Sequence, residues 1–402
     1  MSTIKVDGIR SNSASSDAIT LDGNGKCAVT GTTITGDTGK FNNLPNRNLI
    51  INGAFQVAQR GTSSTTDGYS TVDRWQGKMG NVSVTPTQSQ QSTSTSDTPY
   101  QNGFANFFRI ALPSAGTANS NGQIEMRHLI ESQNILNSGW NYKSSSAFLT
   151  LSFWFRCSTN QTFYIYFYNP DSGKVLVLDF TASANNTWTK ITKQLKGDST
   201  LVFNNDNGAG LQVSLFAFHG TAYTNNRSLN TWGGYDGTNF SPDMATTWLT
   251  AGASTFDITG VQLEVDHTGS GVATDFEHRS FADELLRCQR YYQIGPSESA
   301  PGVLAGRGAG TSAVFATIPL ICTMRAVPSL SDSVLDGVYA YTYNSRPQAS
   351  SGSVTTNSSN YNAHGGYLNL LISGFGGNIV DDRICNIGGF ATGDKIILNA
   401  EL

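Results

Sequence analysis

Leu149-Thr150-Leu151-Ser152-Phe153-Trp154-Phe155, followed shortly by Phe163-Tyr164-Ile165-Tyr166-Phe167-Tyr168, decides the fold class. In the first stretch Leu149, Leu151, Phe153 and Phe155 alternate with Thr150, Ser152 and Trp154; in the second Phe163, Ile165 and Phe167 alternate with three tyrosines. A period of two sends alternate side chains to opposite faces of an extended chain, so each stretch reads as a strand with one apolar and one mixed face. Working outward, Val175–Phe180, Trp188–Leu195 and Leu211–Phe218 are further strand-length apolar runs. Turn signals such as Asn169-Pro170-Asp171-Ser172-Gly173 and Lys196-Gly197-Asp198 separate them. Strands at this spacing predict an all-β protein in which residues 46–275 form a β-sandwich or jelly roll.

The last sandwich strand contains a phase slip. Phe256 and Ile258 share one face, and so do Val261, Leu263 and Val265. One extra residue at Thr259-Gly260 restores the register, which predicts a β-bulge there. Beyond it, residues 276–295 read as one connecting amphipathic helix: Phe281, Leu285, Cys288 and Tyr292 fall at i, i+4, i+7 and i+11. Ser280 is the expected N-cap with Asp283 at N3, and Asp283 with Arg287 forms a favourable i, i+4 pair. Residues 296–402 read as a second, C-terminal β domain. Val314–Leu320, Val338–Tyr343, Tyr367–Ile372 and Lys395–Asn399 are its strands, Asn344–Asn362 is a polar loop, and Gly365-Gly366, Gly376-Gly377 and Gly388-Gly389 mark turns. Residues 1–45 carry only short apolar pieces between Asn, Gly, Ser and Asp. So thin a segment cannot bury a core alone: it is either disordered or ordered by neighbours, and its β-branched residues favour ordering against symmetry mates or a docking partner.

At 402 residues the chain exceeds what one core usually serves. Charged residues make up 13%, against about 25% in an average soluble protein, and Ser, Thr, Asn and 42 glycines fill the space. That surface suits an extracellular or particle-borne β protein better than a helical enzyme. The net charge of −4 argues against nucleic acid, which requires a basic footprint. The N-terminus MSTIKVDGIR lacks the apolar segment of a secretory signal, and no stretch is long and apolar enough for a membrane span. Five scattered cysteines without a CxxC pair read as free, largely buried thiols, not as a zinc site or disulfide framework. No cofactor is implied.

Two bracketing motifs carry more information than composition does. Asn52-Gly53, Phe55, Gln59-Arg60-Gly61 and Asp73-Arg74-Trp75 open the central region. Val261-Gln262-Leu263-Glu264, Phe276-Glu277, Glu284-Leu285 and Cys288-Gln289-Arg290-Tyr291-Tyr292 close it, and the chain ends Ala400-Glu401-Leu402. In order and spacing this set resembles a family of bacteriophage tail fibre and receptor-binding virion proteins. The resemblance implies a homotrimeric structural protein of a virion tail appendage, and a protein built for outside use without an export signal fits a particle made in the host cytoplasm and released by lysis. Residues 1–45 would attach it to other tail proteins. Its sandwich, carbohydrate-binding-module-like, would meet a host-surface glycan or protein receptor. A head fibre or decoration protein and a surface-polysaccharide depolymerase are the alternatives.

Two aromatic constellations are candidate glycan sites. Tyr164, Tyr166 and Tyr168 share one face of one strand, and aromatic faces with polar tips suit pyranose rings, though the same face packs equally well inside the protein. The loop Thr231-Trp232-Gly233-Gly234-Tyr235-Asp236-Gly237 offers Trp232, Tyr235 and Asp236 between glycines, or is pinned by one tucked tryptophan. Trp154, Trp188 and Trp248 read as parts of structural surfaces. Gln59-Arg60-Gly61 and Asp73-Arg74-Trp75 read as internal charge pairs and not as a catalytic acid with an arginine clamp. The histidines stand apart and no catalytic or metal-ligating spacing appears. A glycosidase pair needs only proximity in space, so Asp236, Asp243, Asp257 and Glu264 stay as unsupported candidates, and no enzymatic activity is expected.

Overall fold

The computed structural model describes residues 46–295, 304–330, 339–341, 349–356, 366–375, 379–388 and 396–402, with three short strands in residues 1–45. Met1–Pro45 and Asn46–Leu402 are separate compact units. In the first, β1 (Gly8–Ile9), β2 (Ile19–Leu21) and β3 (Cys27–Val29) pair antiparallel in that order. The expected docking role of this segment otherwise falls outside the described residues.

The second unit begins with β4 (Ser63–Ser64), β5 (Trp75–Gly80), β6 (Thr87–Ser92), α1 (Thr98–Gln101), β7 (Asn106–Leu112), β8 (Gln123–Glu131) and α2 (Ser132–Leu136). It continues with β9 (Phe148–Cys157), β10 (Phe163–Asn169), β11 (Lys174–Phe180), β12 (Thr189–Lys196), β13 (Ala209–His219), β14 (Gly233–Gly234), α3 (Thr247–Thr250) and β15 (Ser254–Asp266). The strands form two six-stranded sheets, β14-β11-β10-β13-β8-β5 and β12-β9-β15-β7-β6-β4. The predicted alternation decides which side faces in. Leu149, Leu151, Phe153 and Phe155 of β9 and Phe163, Ile165 and Phe167 of β10 are all buried in the core between the sheets. Their Thr, Ser and Tyr neighbours lie on the outer faces. The bulge falls where the phase slip puts it: Thr259 pairs with Trp154 and Gln262 with Ser152, so β15 carries one residue more than β9 between those pairs.

Strands β5 to β8 are not evident in the sequence one by one. β6, Thr-Gln-Ser-Gln-Gln-Ser, has no apolar residue, yet Gln88 and Ser89 are buried. Hydrogen bonding makes this possible: the Gln88 side chain accepts from Thr71 at 3.0 Å and donates to the Thr66 and Gly68 carbonyls at 2.6 and 3.1 Å.

The expected helix is shorter, α4 (Phe281–Gln289), and rotated. Ser280 caps it as predicted, accepting from the Asp283 amide at 3.1 Å. Cys288 and Tyr292 of the expected stripe are buried, joined by Glu284 and Tyr291, whereas Phe281 is 55% exposed. A carboxylate turns inward because it has partners there: Glu284 accepts from the Asn52 amide at 2.6 Å and faces Arg279 at 3.5 Å. Arg287 reaches Asn46 and not Asp283.

After α4 come β16 (Tyr292–Ile294), β17 (Leu304–Gly308), β18 (Ala313–Pro319), β19 (Tyr339–Tyr341), β20 (Ala349–Thr356), β21 (Tyr367–Phe375), β22 (Ile384–Gly388) and β23 (Ile397–Asn399). β16 pairs with β23, and the others form a sheet ordered β19-β22-β17-β18-β21-β20. They enclose a second core containing Val314, Ile318, Leu370, Ile372 and Ile387. β20 lies inside the stretch expected to be a polar loop, a correction that backbone pairing with β21 explains. The turn at Gly366 has φ +67°, while Gly365, Gly376, Gly377 and Gly389 lie outside the described residues. Cys157, Cys288, Cys322 and Cys385 are free thiols, and all but Cys322 are buried. Among the described residues, no helix is long and apolar enough to cross a membrane.

Candidate functional site

The three tyrosines of β10 point away from the main core, into a smaller cluster on the outer face of their sheet. Tyr166 lies opposite Val177 of β11, and Tyr164 opposite Phe216 of β13. Phe240 and Met244, from the long connection between β13 and β15, pack over them. Tyr164 and Tyr166 are therefore 7% and 3% exposed, and internal packing accounts for both. Tyr168, at the end of the row, stays half-buried.

The connection brings further rings to Tyr168. Tyr235 lies 5.0 Å from it and 5.9 Å from Phe240, centroid to centroid. Phe240 stacks on Tyr223 at 5.6 Å, and Tyr166 on Phe216 at 5.3 Å. His219 stacks on Phe216 at 3.8 Å. The result is a continuous, largely buried aromatic cluster whose outermost ring, Tyr235, is 50% exposed. Tyr223 and Phe240 escaped the sequence reading; their one signal was the presence of large rings in an Asn- and Gly-rich stretch.

Trp232 does not join that surface. It is 9% exposed, packs in the main core, and donates its indole N–H to the Lys196 carbonyl at 2.7 Å. Backbone bonds hold the rest of the loop. β14 pairs with the start of β11, the Tyr235 amide donates to Gly173 at 2.8 Å, and Arg227 donates to Gly234 at 3.0 Å. Asp236 is exposed and accepts from the Thr238 amide and hydroxyl at 2.9 and 2.8 Å, bonds that hold its carboxyl below the usual range.

The other carboxylates are engaged in structure. Asp257 is fully buried and holds Arg109 through two bonds of 2.7 and 2.8 Å and Arg156 at 2.9 Å. Glu264 accepts from the Thr274 amide at 2.9 Å and faces Arg47 at 3.3 Å. Asp243 accepts from Thr224 at 2.8 Å. Among the described residues, no cluster of three or more His, Cys, Asp or Glu side chains could hold a metal ion.

The opening and closing motifs meet in one buried knot. Arg60 bridges Asp73 at 3.1 Å and Glu401 at 3.0 Å, and Arg74, wholly buried, also pairs with Glu401. The two guanidinium groups lie 3.7 Å over the Tyr292 ring and 3.5 Å over the Tyr291 ring. Arg290 grips Glu131 at 2.7 and 2.8 Å, and Tyr291 donates its hydroxyl to the same carboxylate. Burial lifts the Asp73 carboxyl to about 6, although Arg60 pulls the other way. These residues are internal charge pairs.

No family profile and no curated protein matches the chain. Solved structures with some likeness include the enzymatically active domain of tailspike protein 4 of bacteriophage CBA120, at 10% identity and TM-score 0.29. That match covers 56% of this chain but only 22% of the tailspike. The family 11 carbohydrate-binding module of a Clostridium thermocellum cellulase matches at 12% identity and TM-score 0.25, over 51% of this chain and 95% of the module. A family 61 module, TmCBM61, solved with β-1,4-galactotriose, matches at 10% identity and TM-score 0.26, over 55% and 99%.

Proposed function

We propose that the chain is a homotrimeric structural protein of a bacteriophage tail appendage that adheres to host-surface glycan through the Tyr168–Tyr235 aromatic surface. Residues 1–45 are its attachment to the particle. The observation that carries the glycan reading is Tyr235: half exposed, yet fixed by the Gly173 carbonyl bond and by rings on two sides. A ring already ordered loses little freedom on binding. One stacking contact is worth about 1 kcal/mol, so a single site binds weakly and three linked copies supply the avidity. The bracketing motifs support the virion reading.

Tyr235→Ala should lower adsorption to host cells by about tenfold or more while leaving the melting temperature nearly unchanged, because the ring is on the surface. Unchanged adsorption would remove this surface from the site. Light scattering after chromatography should give three times the chain mass, and a monomer at micromolar concentration would overturn the trimer.

A further inference from the structure

The opposite outer face, on the sheet that carries the bulge, is polar and mostly self-satisfied through ion pairs such as those of Asp257 and Glu264. Trp154 is the exception. It stands on β9 between Lys190 of β12 and Thr259 of β15 and, among the described residues, belongs to no hydrophobic core cluster and stacks on no neighbouring ring. Beside it the bulge turns at Gly260, whose φ is +62° and where a Cβ would stand 2.6 Å from the Phe104 ring. Only glycine lets Phe104 come so close. Phe104, Phe276 and His278 pack on one another at 4.8, 5.0 and 4.9 Å, and His278 is held against the Asn102 carbonyl at 3.1 Å.

Trp154, Lys190, Ser152, Asp275 and this three-ring wall line an open cavity of about 310 Å³. Lys190 is exposed and pairs with no carboxylate among the described residues. The volume lies at the small end of ligand sites, about 300–1,000 Å³, which suits one sugar ring and not an extended chain. The lining offers aromatic faces for C–H groups. Its lining also carries one residue of each sign, the exposed Lys190 and Asp275, which favours a neutral ligand whose hydroxyls both donate and accept.

We propose that this cavity is a second saccharide site, taking a single neutral pyranose that stacks on Trp154 with Lys190 and Asp275 bonding its hydroxyls. It shares no residue with the Tyr235 surface and does not depend on it. The test titrates the full-length protein with methyl α-D-glucopyranoside, methyl α-D-galactopyranoside, methyl α-D-mannopyranoside and N-acetyl-D-glucosamine, followed by saturation-transfer NMR. At least one should bind saturably in the millimolar range. Trp154→Ala should weaken it about tenfold or more and Lys190→Ala about threefold, with Tyr235→Ala leaving it unchanged. Lys190 is exposed, so its variant keeps the fold and the test stands even if Trp154→Ala does not fold. The proposal is overturned if none of the four sugars binds at about 100 mM, if affinity is unchanged in Lys190→Ala, or if binding is lost only in Tyr235→Ala.

Discussion

Trp232 and Tyr235 are three residues apart and do opposite work. Trp232 reaches into the main core and fastens the loop through the Lys196 carbonyl, and Tyr235 is the ring the fastened loop holds out. Removing a buried tryptophan loses its transfer energy and leaves a cavity, so Trp232→Ala should cost about 3–5 kcal/mol in urea unfolding. A loss below about 1 kcal/mol would show that the ring is not a core residue. The loop's geometry was thus half legible: glycines flanking two aromatics marked a turn that must place two large rings, but nothing in residue order says which ring turns in. That depends on where the Lys196 carbonyl and the core lie in space. Tyr164 and Tyr166 carry the same lesson, because their hydrophilic tips do not reveal that Phe240 and Met244 will cover them.

At the scale of elements, legibility follows whether apolar side chains mark the buried face. β9 and β10 alternate cleanly, and the bulge in β15 was visible as a break in that alternation. β6 buries glutamine and serine through hydrogen bonds that only the folded neighbours supply, and α4 turns Glu284 inward for the same reason. Polar burial has no periodic signature. The knot around Glu401 is the strongest instance, since it joins the first sandwich loop, the end of α4 and the C-terminal tail through residues 341 positions apart. Glu401→Gln removes the charge that faces two buried arginines, and Arg74 has no exposure through which to recover hydration. Breaking a buried pair from one side costs about 3–5 kcal/mol. We expect Glu401→Gln to destabilise Asn46–Leu402 by about 3 kcal/mol in urea unfolding at pH 7, and a change within about 0.5 kcal/mol would mean the tail does not lock these elements.

At the scale of the whole molecule, the buried titratable groups make stability depend on pH in a direction that can be worked out. Burial holds His219 down to about 4, with Glu125 pulling up and Arg127 pushing down, and burial together with Arg74 holds His128 well below its ordinary 6.5. Both stay neutral in the folded chain while the unfolded chain takes up their protons below pH 6.5. Stability from these two is complete above that pH and is lost as pH falls towards 4. Asp73 acts in the opposite sense: lifted to about 6, it holds a proton in the folded state that the unfolded state releases, so acid favours folding through it between about 6 and 3.8. Two protons against one leave a net slope of about 1.4 kcal/mol per pH unit below pH 6. Glu125 and Glu277, both held below the usual carboxylate range, add to the loss as the pH approaches their unfolded values. Urea midpoints measured from pH 7 to 4.5 should therefore begin to fall just below pH 6.5, earlier than carboxylate titration alone would allow. His219→Gln should flatten the slope by about one proton, and a midpoint constant down to pH 5 would contradict the neutral buried histidines.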